Sequence, residues 1–403
     1  MRSAIKALTY LMFMMFALTT ESVGVIIPDV MRSYHLGMTA SGAFHYAPMA
    51  AIALSGLGLG FLADRLGRKR AILLGLLLFA ANAYLFALAD SFLAFLLLLT
   101  ISGAAIGIFK TGALALIGDI SHSAREHTVT MNTVEGFFGL GGIVGPAVVA
   151  RLLQEGVGWK WLYVAAGGLC TLLLAPAAGM RYPRPAPAAR PVTLAGSLRL
   201  AGQKTALGFS LACFLYVALE CSIYVWLPTY LAGDPYLSPA LAGWAVPVFF
   251  LLRASGRFAG AWLLDHLPWT LVLALCSGAI LLCFAAAIAG GSVSAAFALP
   301  LSGLFMAPLY PTLNSKGISC FPKSEHGAAA GVILFFTCLG AAIGPLVMGA
   351  VSDAFGDAKY CFVLGTLFAL LLFLGLLYNH LADPTRARLS QRDDSDYGVE
   401  AEA

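Results

Sequence analysis

Gly60-Phe61-Leu62-Ala63-Asp64-Arg65-Leu66-Gly67-Arg68-Lys69-Arg70 joins two long apolar runs, 40–63 before it and 71–89 after it. The second run, Ala71–Ala89, carries no charge, and a helix needs about 20 apolar residues to cross a bilayer core. A short basic gap between two such runs reads as a cytoplasmic turn between membrane helices, because lysine and arginine collect on the cytoplasmic side. That reading explains the basic residues but not the spaced glycines and the aspartate. Gly60 lets a helix approach a neighbour closely, and Gly67 suits a tight turn. Asp64 can accept hydrogen bonds from nearby arginines and from a helix N-terminus. Gly60, Asp64, Arg65, Gly67 and Arg68 together read as a charge latch at a cytoplasmic gate.

The rest of the chain has the same character. Of 403 residues, 60% are hydrophobic and 11% charged, where soluble domains carry about 25% charged residues. Mean hydropathy is +0.86. A water-soluble fold of this size would lack the charges to cover its surface. The net charge of +4 does not point to nucleic acid, because the basic residues sit in short gaps and not in one patch. Cys170, Cys213, Cys221, Cys276, Cys283, Cys320, Cys338 and Cys361 fall almost entirely inside apolar runs and form no C-x-x-C pair. They read as small buried side chains, with no disulfide framework and no metal site. The first run extends from Ala7 to Pro28, longer than the roughly 7–15 residues of a signal-peptide core, so it reads as a retained first helix.

Twelve helices are predicted, over 4–30, 40–63, 71–89, 92–118, 128–152, 161–179, 205–231, 239–264, 269–290, 295–318, 328–351 and 361–380. The long gap at 181–204 is rich in proline and basic residues and suits an exposed cytoplasmic connector. The tail over 381–403 is polar and of mixed charge, which predicts disorder. With the N-terminus inside, sixteen lysines and arginines fall in inside segments and four (Arg32, Arg151, Lys160 and Lys359) outside. The imbalance predicts both termini in the cytoplasm of a multi-pass protein of the plasma membrane.

Displacing the chain by about 200 residues aligns its halves. Ser22, Val25 and Pro28 fall on Ser222, Val225 and Pro228, and Ser102-Gly103 falls on Ser302-Gly303. Glu126-His127 falls on Glu325-His326, and Gly141-x-x-x-Gly145-Pro146 falls on Gly340-x-x-x-Gly344-Pro345. The predicted organisation is a six-helix half over 1–180, the connector, and a second six-helix half over 205–380. Six helices followed by six in the same orientation is a parallel-repeat transporter plan, with substrate bound between halves near the midplane.

Residues 60–70 match the signature G-x-x-x-D-R-x-G-R-[KR]-[KR] at every fixed position, and the chain resembles the major facilitator superfamily over nearly its whole length. Within it, the chain looks most like the fucose-permease and glucose/galactose-transporter branch. The residues behind this are Asn132-x-x-x-x-Phe137-Phe138-Gly139-x-Gly141, Leu215-Tyr216-Val217-x-x-Glu220-x-Ser222, Trp226-Leu227-Pro228-x-Tyr230-Leu231 and Ala307-Pro308-Leu309-Tyr310-Pro311-Thr312-Leu313. The resemblance implies proton-coupled uptake of a sugar or related polyol by alternating access, without ATP. It departs at Glu135, where many relatives carry histidine, and at the embedded cation Lys110.

An ionisable group inside a bilayer costs about 2.5–3.5 kcal/mol on an insertion scale, which makes each one a functional candidate. Here these are Glu21, Lys110, Glu135, Glu220 and Arg253. Lys110 and Glu135 lie at matching depth, as do Glu220 and Arg253, so each couple is a candidate ion pair, either structural or substrate-binding. Glu21 has no basic residue at its depth and is the candidate proton carrier. Arg257 and Lys316 lie near helix ends and suit snorkelling. Pro308 and Pro311 interrupt the tenth helix, where Tyr310 and Asn314, one turn apart, offer groups for a hydroxylated substrate. Trp226, Tyr224 and Tyr46 are further aromatic candidates. No G-x-S-x-G, H-E-x-x-H or Walker sequence is present, so no enzyme is expected, and no cofactor. The expected partners are a small-molecule substrate, a coupling proton and lipid, for a chain acting as a monomer. Two other readings stay open: an exporter of drugs or metabolites, since Gly141-x-x-x-Gly145-Pro146 resembles part of an antiporter signature, and a transporter of organic anions or sugar acids.

Overall fold

The computed structural model describes residues 2–58, 67–120, 124–182, 200, 202–235, 237–321, 326–386 and 388–389. Gly60, Asp64, Arg65, most of the connector and the end of the tail lie outside the described residues. So do the side chains of Asn132, Glu126, His127 and His326, as does Glu325.

Within that range the chain is helical throughout. The elements are α1 (Arg2–Thr20), α2 (Val23–Tyr34), α3 (Met38–Ser41), α4 (Ala43–Gly58), α5 (Arg68–Leu85), α6 (Phe92–Ile120), α7 (Ala124–Gln154), α8 (Lys160–Gly179), α9 (Lys204–Ala232), α10 (Pro239–His266), α11 (Trp269–Ala289), α12 (Gly291–Met306), α13 (Leu309–Ser319), α14 (His326–Phe355) and α15 (Lys359–Ala382). Among the described residues, ten helical spans are long and apolar enough to cross a membrane. Two further rods complete the twelve in chain order: α4, described only as far as Gly58, and α10, which carries Arg253, Arg257 and Asp265.

Among the described residues, the first and tenth rods are broken well inside their length. The predicted first helix is interrupted at Glu21-Ser22, between α1 and α2. Here Thr19 and Thr20 donate their hydroxyls to Phe16 O, and Ser22 donates to Leu18 O at 2.6 Å. Hydroxyls that bond back to the preceding turn compete with the helical ladder and bend it. The tenth helix breaks at Ala307-Pro308, between α12 and α13. Pro308 has no N–H to give to Leu304 O, four residues back. Gly256 of α10 lies so close to Leu304 O that a Cβ there would overlap it. Pro311, by contrast, is accommodated inside α13.

The chain divides into two compact units: Met1–Ala188 with Tyr224–Leu251, and Ala189–Ile223 with Leu252–Ala403. In the first, Phe16 of α1 meets Phe79 of α5 and Phe109 of α6, with ring centroids 4.9 and 4.7 Å apart. Asn82 of α5 donates to Leu98 O and to the Ser102 hydroxyl of α6, both at 2.8 Å. α5 and α8 run antiparallel and are fastened by a lysine at each end. Lys69 donates to Ala178 O and Met180 O at 2.5 and 2.8 Å, the favourable place for a cation at a helix C-terminus. Lys160 donates to Ala87 O, Ala89 O and Asp90, at 3.2, 3.1 and 3.1 Å. In the second unit α11 packs against α12 and α15, as α5 packs against α6 and α8 in the first.

The repeat read in the sequence is visible as contacts. A Cβ on Gly141 would overlap Met14 O, and one on Gly145 would overlap Leu18 O, so α7 lies with its backbone directly on α1. In the second unit a Cβ on Gly340 would overlap Phe214 O, and one on Gly344 would lie 2.5 Å from the Ala218 Cβ. Gly340 and Gly344 are the aligned partners of Gly141 and Gly145, and Phe214 and Ala218 those of Met14 and Leu18. Small residues of this kind let membrane helices touch and gain dispersion and weak Cα–H···O contacts.

Because these seats have no spare volume, Gly141→Leu and Gly340→Leu are each expected to destabilise the protein by about 1–3 kcal/mol, the usual cost of overpacking. Gly168→Ala, where a Cβ meets nothing within 4 Å, is the control. Thermal unfolding in detergent checks this. Equal melting temperatures for Gly141→Leu and Gly168→Ala would contradict it.

Candidate functional site

Glu220, midway along α9, forms an ion pair with Arg253 of α10, Nη2 to Oε1 at 2.7 Å. The side chains are 9% and 15% exposed. Two charges buried to this degree persist only because they satisfy each other, since removing one leaves an uncompensated charge in a low-dielectric setting. Tyr216 lies one turn before Glu220, is fully buried, and directs its hydroxyl to both members of the pair. Its ring is stacked with that of Tyr310, centroids 6.1 Å apart and planes 19° apart. Tyr310 sits in the first turn of α13, just after the break at Ala307-Pro308. Asn314 follows one turn later on α13 and is half-buried. The second unit thus brings a carboxylate, a guanidinium and two stacked phenols together, with an amide one turn away on the same helix as Tyr310.

The first unit treats its charges differently. Lys110 of α6 is half-buried with its Nζ 5.0 Å from the centroid of the Phe138 ring of α7, a cation–π contact. Depth suggests Glu135 as its partner; the ring contact, one turn further along α7, is with Phe138. Glu135 is half-buried and has polar interactions of its own. Beside Phe138, Phe137 stacks on Tyr10 of α1 at 5.3 Å. Glu21 is 7% exposed, lies in the α1–α2 break, and accepts from the Thr20 hydroxyl at 3.3 Å. Arg257 and Lys316 are half-buried.

Of the gate motif, Gly67 and Arg68 fall in the described range. Gly67 has φ 83°, a region open to glycine and strained for other residues, and Arg68 begins α5. Trp226 is fully buried and packs against Gly42, where a Cβ would lie 2.6 Å from its ring. Tyr224 packs on His45 and Phe250, and Tyr46 is half-buried. Sequence reasoning quoted Tyr216 and Phe138 only within the motifs of the resemblance, gave neither a role at the site, and did not single out His45. The four-residue spacing of Tyr216 from Glu220 was a usable signal for its role; nothing in the sequence gave Phe138 or His45 theirs, since aromatic residues are common along all these helices.

The major facilitator superfamily model matches residues 9–345 and, in a second match, 298–396. The chain belongs to the major facilitator superfamily. It is 26% identical over 395 residues to a glucose/galactose transporter of Brucella abortus, covering 93% of each. To the L-fucose-proton symporter of Escherichia coli it is 24% identical over 386 residues, covering 87% of each. To the quinolone resistance protein NorA of Staphylococcus aureus it is 24% identical over 423 residues, covering 98% of this chain and all of that one. Among solved structures, a bacterial homologue of the human lysosomal transporter Spinster superposes with a TM-score of 0.77 at 15% identity, covering 95% of this chain and 97% of that one. This member of the superfamily is therefore a multi-pass membrane transporter with the fold of two six-helix parallel repeats.

Breaking the buried pair on one side is expected to cost about 3–5 kcal/mol. Glu220→Gln or Arg253→Met alone should lower the melting temperature clearly, and the two together should recover most of the loss. A double variant no more stable than the worse single variant would mean that the two side chains do not act as a unit.

Proposed function

We propose that this transporter carries a small polar metabolite, a neutral sugar in the first instance, inward with a proton by alternating access. The observation that carries the reading is the Glu220–Arg253 pair flanked by the stacked Tyr216 and Tyr310 rings. Sugars present hydroxyls on their edges and apolar C–H groups on their faces, so charged hydrogen-bonding groups beside aromatic faces suit them. Asn314 adds an amide within the same short helix. Glu21, a buried carboxylate at a helix break, is the proposed proton carrier, because an ionisable group embedded in a membrane helix is costly to keep there without a role. The sugar and proton named for the Brucella and Escherichia relatives support this reading. The protein is proposed to act as a monomer in the plasma membrane with both termini cytoplasmic, its exposed leucine-rich faces, Leu172 and Leu282 among them, against lipid.

Lys110 favours a second reading. An ammonium held over an aromatic ring is well placed to receive a carboxylate, which makes a sugar acid or organic anion the alternative substrate class. The NorA relative keeps export of drugs or metabolites as the alternative direction.

Uptake into proteoliposomes separates these readings. With an inward proton gradient, labelled D-galactose or L-fucose is expected to accumulate several-fold over its level with a protonophore. Accumulation of D-glucuronate alone, lost in Lys110→Met, would assign the anionic class. Sugar uptake indifferent to the proton gradient would contradict proton coupling.

A further inference from the structure

In the first unit α5 and α8 lie side by side, and their exposed faces border one seam. Arg70, Leu77 and Tyr84 are seven residues apart, close to two helical turns, so they share one face of α5. All three are exposed, Leu77 by 55%. On α8, Thr171, Ala175 and Ala178 are exposed at helical spacing. The Tyr84 and Thr171 hydroxyls bond to each other at 2.9 Å in an exposed setting, which joins the two faces. At the other end of the seam Lys69 donates to Ala178 O and Met180 O, and its Nζ lies 5.7 Å from the Tyr182 ring centroid. These contacts bring the first turn of α5 onto the end of α8. Arg70 follows Lys69 and Arg181 follows Met180, so two exposed arginines stand at this end. Among the described residues neither makes an ion pair or a hydrogen bond. No acidic residue occurs over 67–89 or 160–182 to neutralise them.

We propose that this seam binds an anionic phospholipid, its phosphate held by Arg70 and Arg181 and an acyl chain laid along Leu77 and Ala175. The inference goes beyond the transport reading and does not depend on the substrate. A guanidinium is weakly hydrated and presents a fork of donors that matches a phosphate, so a pair of arginines without protein partners suits that headgroup. A lipid fits better than a free phosphate because charge and apolar surface are continuous on one helix face. Leu77 lies about 10 Å from Arg70 along α5, within the roughly 15 Å of hydrocarbon in one leaflet of a 30 Å core. Cations at the ends of neighbouring membrane helices are a known way of selecting anionic headgroups. Arginines that only snorkel to water would discriminate between headgroups no better than any other surface cation.

The test uses the full-length protein in nanodiscs of equal parts phosphatidylglycerol and phosphatidylcholine, released into mild detergent, with retained lipid identified by native mass spectrometry. Wild type is expected to retain phosphatidylglycerol over phosphatidylcholine by about fivefold or more, since each cation near an anionic headgroup contributes about a factor of five. Arg70→Gln together with Arg181→Gln is expected to abolish the preference. Arg386→Gln, which removes an exposed arginine of the second unit, should leave it unchanged. No preference in wild type, a preference that survives the double substitution, or an equal loss in Arg386→Gln overturns the proposal. If the double variant does not fold, photo-crosslinkable phosphatidylglycerol on wild type decides: label within 67–89 and 160–182 is expected, and label confined to other segments overturns it. The readout is bound lipid and not transport, so its failure leaves the sugar reading standing, and a failure of D-galactose uptake leaves this inference standing.

Discussion

A peptide group in the middle of a bilayer has no water to bond to, so every backbone donor and acceptor must be satisfied inside its own helix or where two helices meet. Helices that bury their own polar groups gain little from the hydrophobic effect when they associate in lipid, and close contact has to supply the attraction. Gly141 and Gly145 bring α7 onto the backbone of α1, and Gly340 and Gly344 bring α14 onto α9. The two contacts are copies of one another, 199 or 200 residues apart. Where the ladder is opened, the freed groups are met locally: Ser22 bonds to Leu18 O at one break, and Gly256 closes on Leu304 O at the other.

The same shortage of water governs the charges. Five ionisable residues were singled out inside the predicted helices, and the structure gives their surroundings distinct characters. Glu220 and Arg253 neutralise each other with Tyr216 as a third party. Lys110 leans on the face of Phe138. Glu21 is buried where the first rod is broken, hydrogen-bonded by the Thr20 hydroxyl. Each arrangement offers something chemically different: a polar seat beside stacked rings, a cation, and a group able to take up a proton. A transporter needs at least the first and, when driven by protons, the last.

Much of this was readable in the chain. Runs of apolar residues between short polar gaps located the helices to within a few residues, because length and hydropathy are nearly sufficient when the solvent is hydrocarbon. Pro308 announced the break before α13, since proline's missing N–H is a local property. The break at Glu21-Ser22 was missed, because it comes from several hydroxyls acting together and none of Thr19, Thr20 or Ser22 is a helix breaker alone. Matching depth paired Glu220 with Arg253, as the structure has them; for Lys110 it pointed to Glu135 and gave no hint of the Phe138 ring over which the ammonium lies. Depth fixes one coordinate of a side chain; the rotation of α6 and α7 about their axes decides which residue it faces, and one turn along α7 separates Glu135 from Phe138. A small cavity beside His45 is lined by residues of five helices, a coincidence that no single stretch of sequence encodes.

The central claim is that the Glu220–Arg253 pair with its two tyrosines is the place where substrate binds, and not only a structural tie between α9 and α10. The most direct measurement is isothermal titration of D-galactose, L-fucose and D-glucuronate into wild type and into a folded Glu220→Gln/Arg253→Met variant. The account predicts that wild type binds at least one of the three and that the variant loses at least a hundredfold in affinity for it, about 2.7 kcal/mol. A stable variant that binds the same probe with wild-type affinity would contradict it.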